Sequence, residues 1–334
     1  MNMLISILIP FKNTEEYLDE CLQSIINQSY RNWEVLAIND HSTDNSPEIV
    51  ERFANVDKRI KLNTNKGNGI IDALRTAYNS STGHLITRMD SDDIMIENRL
   101  EVMASALKLY GRGHLAVGQV SYFSHRGISN GYKRYEQWLN ELTATGSNYT
   151  EIYKECVIPS PCWMTYREDL DSCRAFMPDR YPEDYDLTFR FYENNLKCIP
   201  CNEILHLWRD YDMRTSRTSE HYAQNYFLDI KLHYFLKLDY DPKKVLTVWG
   251  AGSKGKEIAK GLIKKNIDFY WLCDNPNKIG KEIYGKEMHH FSLLTELKNP
   301  QSVITVANED SQKMIKTYLT ELEHKTLVDF FFFC

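Results

Sequence analysis

MLISILIPFKNTEEYLDECLQSIINQSYRNWEVLAINDHSTDNS, residues 3–46, contains a strand, a helix and a second strand in one short run. Residues 3–9 are apolar almost without a break, as in a strand covered on both faces. Asn13-Thr14-Glu15-Glu16 fits a capping box, and Leu18, Leu22, Ile25 and Ile26 follow at helical spacing. Glu34 to Ile38 reads as the next strand. Ser46-Pro47 then supplies an N-cap and a proline at the first helical position, with Ile49, Val50 and Phe53 lining the helix. Working outward, Ile60 and Leu62 mark a third strand, and Ile70, Leu74, Ala77 and Tyr78 a third helix. His84 to Met89 forms a fourth strand, and Leu100, Met103 and Leu107 line the helix after it. Strands alternating with helices predict crossover units and an α/β fold with a Rossmann-like, mostly parallel sheet.

Such a sheet binds ligands at the carboxyl ends of its strands. Strand one ends in Pro10-Phe11-Lys12-Asn13, and strand two in Asn39-Asp40-His41-Ser42. Strand three leads into Asn65-Lys66-Gly67-Asn68-Gly69, and strand four into Asp90-Ser91-Asp92-Asp93. Three carboxylates in four residues repel one another unless a cation sits among them, and hard oxygens suit Mn2+ or Mg2+ bridging a diphosphate. Asp40 can accept hydrogen bonds from a base or ribose. In isolation the acidic run also fits a surface turn, and Asp40 an Asx turn.

The middle of the chain, about 110–240, alternates less regularly and is rich in Tyr and Trp. In Pro182-Glu183-Asp184 a carboxylate could take a proton from an attacking hydroxyl, or simply favour a helix N-terminus. In His206-Leu207-Trp208-Arg209 the imidazole could complete a metal shell and the guanidinium could hold a leaving diphosphate. Tyr222, Tyr226, Phe227, Ile230 and Tyr234 predict an aromatic helix, and Asp239 to Lys244 a linker. A second alternation starts at Val245. Gly250-Ala251-Gly252-Ser253-Lys254-Gly255 matches G-x-G-x-x-G at a strand-to-helix turn, and Asp274 lies where a ribose-binding acid would sit. The same turn serves helix–sheet packing in small Rossmann-like domains.

The 334 residues suggest two domains at roughly 150 residues each. Forty-six acidic against 40 basic side chains leave a formal charge of −6, which argues against a nucleic-acid partner. No transmembrane segment is expected, because no apolar run approaches the roughly 18 residues of a membrane helix. The apolar start lacks a preceding basic residue and a small-residue cleavage site, so it reads as a strand in a cytoplasmic protein. Eight cysteines are scattered, and the one CxxC, Cys198 to Cys201, lacks the second pair of a zinc site.

Taken together, these segments resemble glycosyltransferase family 2, of the GT-A fold. Pro10 to Asn13, the run SIINQSYRNWEVLAINDHSTDNS at 24–46, Gly69 to Arg75, RMDSDD at 88–93 with Arg99-Leu100, and EDYDLTFRF at 183–191 follow the family's ordered pattern. EILHLWRDYDMRTSRTS at 203–219 is similar to one bacterial branch, some members of which carry a C-terminal Rossmann-like appendage like the segment from 245. The resemblance implies a glycosyltransferase domain over 1–240: a nucleotide-sugar half to about 110, an acceptor half to about 220 and a helical extension. A Rossmann-like domain would follow at 244–334.

The resemblance also implies metal-dependent, inverting transfer of a sugar from a nucleotide-sugar donor to a hydroxyl in glycan or polysaccharide synthesis. Pro10 and Asn13 would shape the donor pocket beside Asn39, and Asp40 would bind base or ribose. Asp90 and Asp92 would bind ribose and metal with Asp93 in support. His206 and Arg209 would face the diphosphate, with His206 as a further metal ligand, and Asp184 would act as the base with Glu183 beside it. A lipid-linked acceptor would bring the enzyme to the inner membrane face. The sequence departs from the pattern at Asn39-Asp40, where Asp-Asp is usual, at His41, where glycine is usual, and at Pro161-Cys162-Trp163-Met164, which lacks a frequent histidine. A nucleotidyltransferase remains an alternative, although the strand-one turn lacks a glycine-rich basic loop. So does a non-catalytic nucleotide-binding scaffold organised by the C-terminal segment.

Overall fold

The alternation of residues 3–107 is realised as a parallel sheet with intervening helices in a computed structural model that describes residues 3–212, 214 and 227–334. The elements are β1 (Ile5–Phe11), α1 (Leu18–Ile26), β2 (Trp33–Asn39), α2 (Ser46–Val56), β3 (Ile60–Thr64), α3 (Ile70–Ser80), β4 (Leu85–Arg88), β5 (Ile94–Met95) and α4 (Arg99–Tyr110). β1 is buried at every position, as a central parallel strand must be. The chain continues through β6 (His114–Phe123), α5 (Asn130–Thr145), β7 (Trp163–Tyr166), α6 (Arg167–Ser172), α7 (Glu183–Glu193) and β8 (Lys197–Arg209).

These strands form one sheet in the order β3-β2-β1-β4-β7-β6-β8-β5. β3, β2, β1 and β4 run parallel, and β7 is antiparallel to both β4 and β6. β6 and β8 pair in parallel with irregularities at Gly118, Gln119 and Val120. Those irregularities, and the exposed polar residues along β8, explain why the middle of the chain shows weak alternation yet completes the same sheet. Ile7, Leu22, Trp33, Val35, Met103 and Leu205 belong to its core.

The short β5 pairs antiparallel with β8, Ile94 opposite Leu207 and Met95 opposite His206. This register draws the acidic turn after β4 against the end of β8, over a separation of more than a hundred residues.

α1 begins at Leu18, later than the capping box predicts, and its N-cap has no side-chain bond. The side chains that would cap it are used elsewhere. Asn13 Oδ1 accepts from the Thr43 amide at 2.8 Å, and Glu15 Oε2 accepts from the Asn45 amide at 2.8 Å. They lace the turns after β1 and β2 together instead of starting a helix.

The chain divides into two compact units, Met1–Tyr149 with Val157–Tyr222, and Thr150–Cys156 with Ala223–Cys334. The second contains α8 (Leu228–Tyr234), β9 (Val245–Trp249), α9 (Ser253–Lys264), β10 (Tyr270–Cys273), β11 (Glu282–Ile283), β12 (Lys286–His290), β13 (Pro300–Ile304), α10 (Glu309–Glu321) and β14 (Phe330–Phe332). Its sheet has the order β11-β12-β10-β9-β13-β14, parallel except for the β11–β12 hairpin, so the expected smaller α/β unit is present. Of the expected aromatic helix, Ile230 and Tyr234 lie on α8, whereas Tyr222 and Tyr226 lie outside the described residues. Among the described residues, no helix is long and apolar enough to cross a membrane.

Candidate functional site

At the carboxyl end of β2, Asp40 is buried and its Oδ1 accepts from Asn65 Nδ2 at 2.6 Å and from the Gly69 amide at 2.9 Å. Its Oδ2 faces the Lys12 ammonium at 3.6 Å. Asn39 Oδ1 accepts from the Ser42 amide at 2.8 Å, closing a turn of the kind that asparagine side chains form. His41 takes the left-handed conformation (φ 57°) at the position where the family pattern has glycine, and its Nε2 lies 2.8 Å from the Gly67 carbonyl. Pro10 lies near the end of β1, beside Ile38 of β2, so both strand ends and the loop before α3 converge on Asp40.

The acidic turn after β4 is held from several sides. Asp90 Oδ1 accepts from Arg88 Nε at 2.7 Å, and Ser160 Oγ lies 3.5 Å from Oδ2. Asp92 Oδ2 accepts from the Tyr211 hydroxyl at 2.9 Å. Burial, with Asp93 and Asp90 nearby, pushes the Asp92 carboxyl up to about 7. Asp93 is fully buried, accepting from the Arg209 amide at 2.7 Å and meeting His206 Nε2 at 2.9 Å. Burial raises its carboxyl well above the usual range.

His206 does not offer a ring nitrogen to a cation. Nδ1 lies 3.0 Å from Arg99 Nη1, and Nε2 faces Asp93. Arg99 is a permanent donor, so Nδ1 is the acceptor and Nε2–H donates to Asp93. Burial and then Arg99 hold this imidazole far below its ordinary value, that is, neutral. The expected metal ligand is therefore a buried brace in this arrangement. Arg209 is likewise engaged: Nε donates to the Asp92 carbonyl at 2.6 Å, Nη2 reaches Glu20 at 2.5 Å, and the guanidinium lies over Tyr17 and Phe123.

Among the described residues, no group of three or more His, Cys, Asp or Glu side chains is arranged to hold a metal ion. Asp90 and Asp92 still fit a Mg2+- or Mn2+-type cation, which takes one or two carboxylates and completes its shell with substrate phosphate and water. The Asp92 carboxyl is raised by burial first and by Asp93 next, against a lowering pull from the nearby Arg214 guanidinium.

α7 carries the second acidic group. Glu183 is buried, with Oε1 accepting from Arg88 Nη1 at 3.0 Å. Asp184 accepts from the Tyr185 amide at 2.8 Å. Burial and the adjacent Glu183 raise its carboxyl toward neutral pH, against a lowering pull from Arg88. A carboxyl so poised suits a general base. A small cavity beside it is lined by Arg88, Ser160, Trp163, Phe176 and Phe191.

Asp90, Asp92, Asp93, His206 and Arg209 thus form one cluster, joined to Glu183 and Asp184 through Arg88. Asp40, Asn39 and Asn13 belong to the network at the ends of β1 and β2. Sequence reasoning gave no role to Arg88, Tyr211 or Glu20, and Arg99 only a place in a motif. Arg88 and Arg99 flank the acidic turn, and two arginines bordering a buried acidic run were the available signal. Nothing local to Glu20 marked it.

A family model described as "Glycosyl transferase family 2" matches residues 6–174, which includes Asp40 and the acidic turn but stops short of α7 and β8. The Escherichia coli UDP-Glc:alpha-D-GlcNAc-diphosphoundecaprenol beta-1,3-glucosyltransferase WfgD is 32% identical over 216 residues, 62% of this chain and 77% of that protein. The structure of Staphylococcus aureus TarS 1–349 with UDP-GlcNAc shares the fold with a TM-score of 0.55 at 18% identity, over 72% of this chain and 68% of that one. The mannosyltransferase PcManGT from Pyrobaculum calidifontis, with GDP-Man and Mn2+, gives 0.51 at 18% identity, over 79% and 70%. The chain spans about a third of the length of several curated relatives it matches.

Proposed function

Because the chain belongs to glycosyl transferase family 2, we propose that it transfers a glycosyl group from a nucleotide-sugar donor to an acceptor hydroxyl by a single inverting displacement. The observation that carries this reading is the Arg88 link between Asp90, at the donor end of the sheet, and the α7 turn with its elevated carboxyl, Asp184. Asp40 accepts a hydrogen bond from the donor's base or ribose, in the loop pinned by His41 and Asn65. Asp184 takes the proton of the acceptor hydroxyl as its oxygen forms a bond to the anomeric carbon. The bond from that carbon to the diphosphate breaks, and its electron pair leaves with the diphosphate.

Asp90 and Asp92 would hold a divalent cation, Mn2+ or Mg2+, which supplies charge stabilisation for the leaving group. The Mn2+ bound with GDP-Man in PcManGT supports this choice of ion. The acceptor class proposed is a glycan or lipid-linked hydroxyl, supported by the diphosphoundecaprenol acceptor in the name of WfgD. Such an acceptor implies a cytoplasmic enzyme at the inner membrane face. Catalysis is assigned to residues before about 240, and a structural role to the Rossmann-like segment 244–334.

Thermal-shift measurements against nucleoside diphosphates and their sugars, with and without Mn2+, test the reading. A donor bound only by the native state raises the melting midpoint by mass action. A metal-dependent shift with one diphosphate, lost in Asp92→Ala, is expected. A shift with a dinucleotide and none with any diphosphate would reject it.

A further inference from the structure

We propose that Arg88 is a positioning residue for the transfer step: its guanidinium bridges Asp90 and Glu183 and thereby fixes the first turn of α7, with Asp184, relative to the bound donor. This rests on the reading of Asp90 as a donor-side residue and Asp184 as the base. Arg88 ends β4, and its side chain is only 7% exposed. Nε meets Asp90 Oδ1 at 2.7 Å and Nη1 meets Glu183 Oε1 at 3.0 Å, so different nitrogens of one planar group serve one acid two residues away and another 95 residues away. The fork is rigid and pre-organised, whereas a lysine ammonium on a flexible stem is a point charge that cannot reproduce both bonds in plane. Ser160 stands on the other side of Asp90, so the carboxylate is held between strand β4 and the segment before β7.

The bridge matters because transfer requires the acceptor oxygen to approach the anomeric carbon along one line. A displacement of about 1 Å by a supporting residue can lower turnover about 100-fold. In Arg88→Lys the ammonium stays beside Asp90, two residues away, and the bond from this position to Glu183 is lost. In Glu183→Gln the Arg88–Asp90 pair survives and the tie to α7 weakens. The two variants weaken the same strut from opposite ends.

The experiment uses the full chain with Mn2+ and a probe panel of UDP-glucose, UDP-N-acetylglucosamine and GDP-mannose. Donor affinity is measured by calorimetry, and turnover as nucleoside diphosphate release with water as acceptor. Arg88→Lys is expected to lower kcat about 100-fold with donor Kd near the wild-type value. Glu183→Gln should lower kcat similarly, and the double variant should be no worse than either, because the two residues act as one unit. Multiplying losses in the double variant, a donor Kd that rises as much as kcat falls, or unchanged turnover in either single variant overturns the proposal. If Arg88→Lys does not fold, Glu183→Gln decides alone by the same split between kcat and Kd. A wild type that neither binds nor cleaves any donor removes the transferase reading and this proposal together. An active wild type with equally active variants removes only the strut.

Discussion

The two units place a strand, a tight turn and a helix at the carboxyl edge of a parallel sheet, and they use that edge differently. After β2 and β4 of the first unit the turns carry acidic side chains that are buried or half-buried. Asp40, Asp90, Asp92 and Asp93 are held there by Asn65, Arg88, Tyr211 and His206, and the carboxyls of Asp92 and Asp93 are forced upward. After β9 of the second unit the turn is glycine-rich, and two of its three motif glycines, Gly250 and Gly255, leave no room for a side chain, while Gly252 has open space around it. A Cβ on Gly255 would lie 2.0 Å from the Gly250 carbonyl oxygen, and one on Gly250, at φ 132°, would lie 2.4 Å from Thr305 Oγ1. Lys278 Nζ reaches across to the Ala251 carbonyl at 2.8 Å. Asp274, at the expected ribose position, is exposed. Close helix–strand approach accounts for the first and third glycines of the motif, Gly250 and Gly255. A shared backbone motif becomes chemistry only where buried side chains crowd around it.

The sharpest way to break this contrast is Asp184→Asn. It is expected to reduce transfer about 10²- to 10⁴-fold while donor affinity stays near wild type. An equal loss of affinity in calorimetry would mean that Asp184 belongs to donor binding and not to proton transfer. Asp40→Ala comes next. Removing the carboxylate strands the Asn65 amide and the Gly69 N–H, and donor Kd should rise about 10- to 100-fold with a smaller change in kcat. An unchanged Kd would detach the ends of β1 and β2 from donor recognition.

A third test is the pH dependence of kcat/KM. The base acts deprotonated and burial raises its carboxyl, so the rate should fall about tenfold per pH unit on the acid side of a limb well above the usual carboxylate range. A limb at the ordinary value near 4 would remove Asp184 from the role. The smallest effect on catalysis is expected from Gly255→Ala. Its methyl group overpacks the turn and should cost about 1–3 kcal/mol in denaturant unfolding, with donor affinity and turnover unchanged. Lost turnover in a folded variant would give the second unit a share in the reaction and erase the contrast.

What the sequence determined by itself was the order of strands and helices in the first hundred residues, which rests on short-range apolar pattern. The apolar run of β1, the 3.6-residue spacing in α1 to α4 and the polar strand ends were all legible, because each is a property of neighbouring residues. So was the gathering of Asp40 and the Asp90–Asp93 turn at one edge, since parallel topology sends every strand's carboxyl end the same way. The tertiary structure alone decided what each acid touches. The capping box after Asn13 dissolved because Asn13 and Glu15 find partners in the next strand's turn. His206 became a brace because the β5–β8 register sets it between Asp93 and Arg99. Arg88 gained its role from an acid 95 residues away. A hydrogen bond is set by distance and angle in space, and no spacing along the chain encodes these long-range pairings.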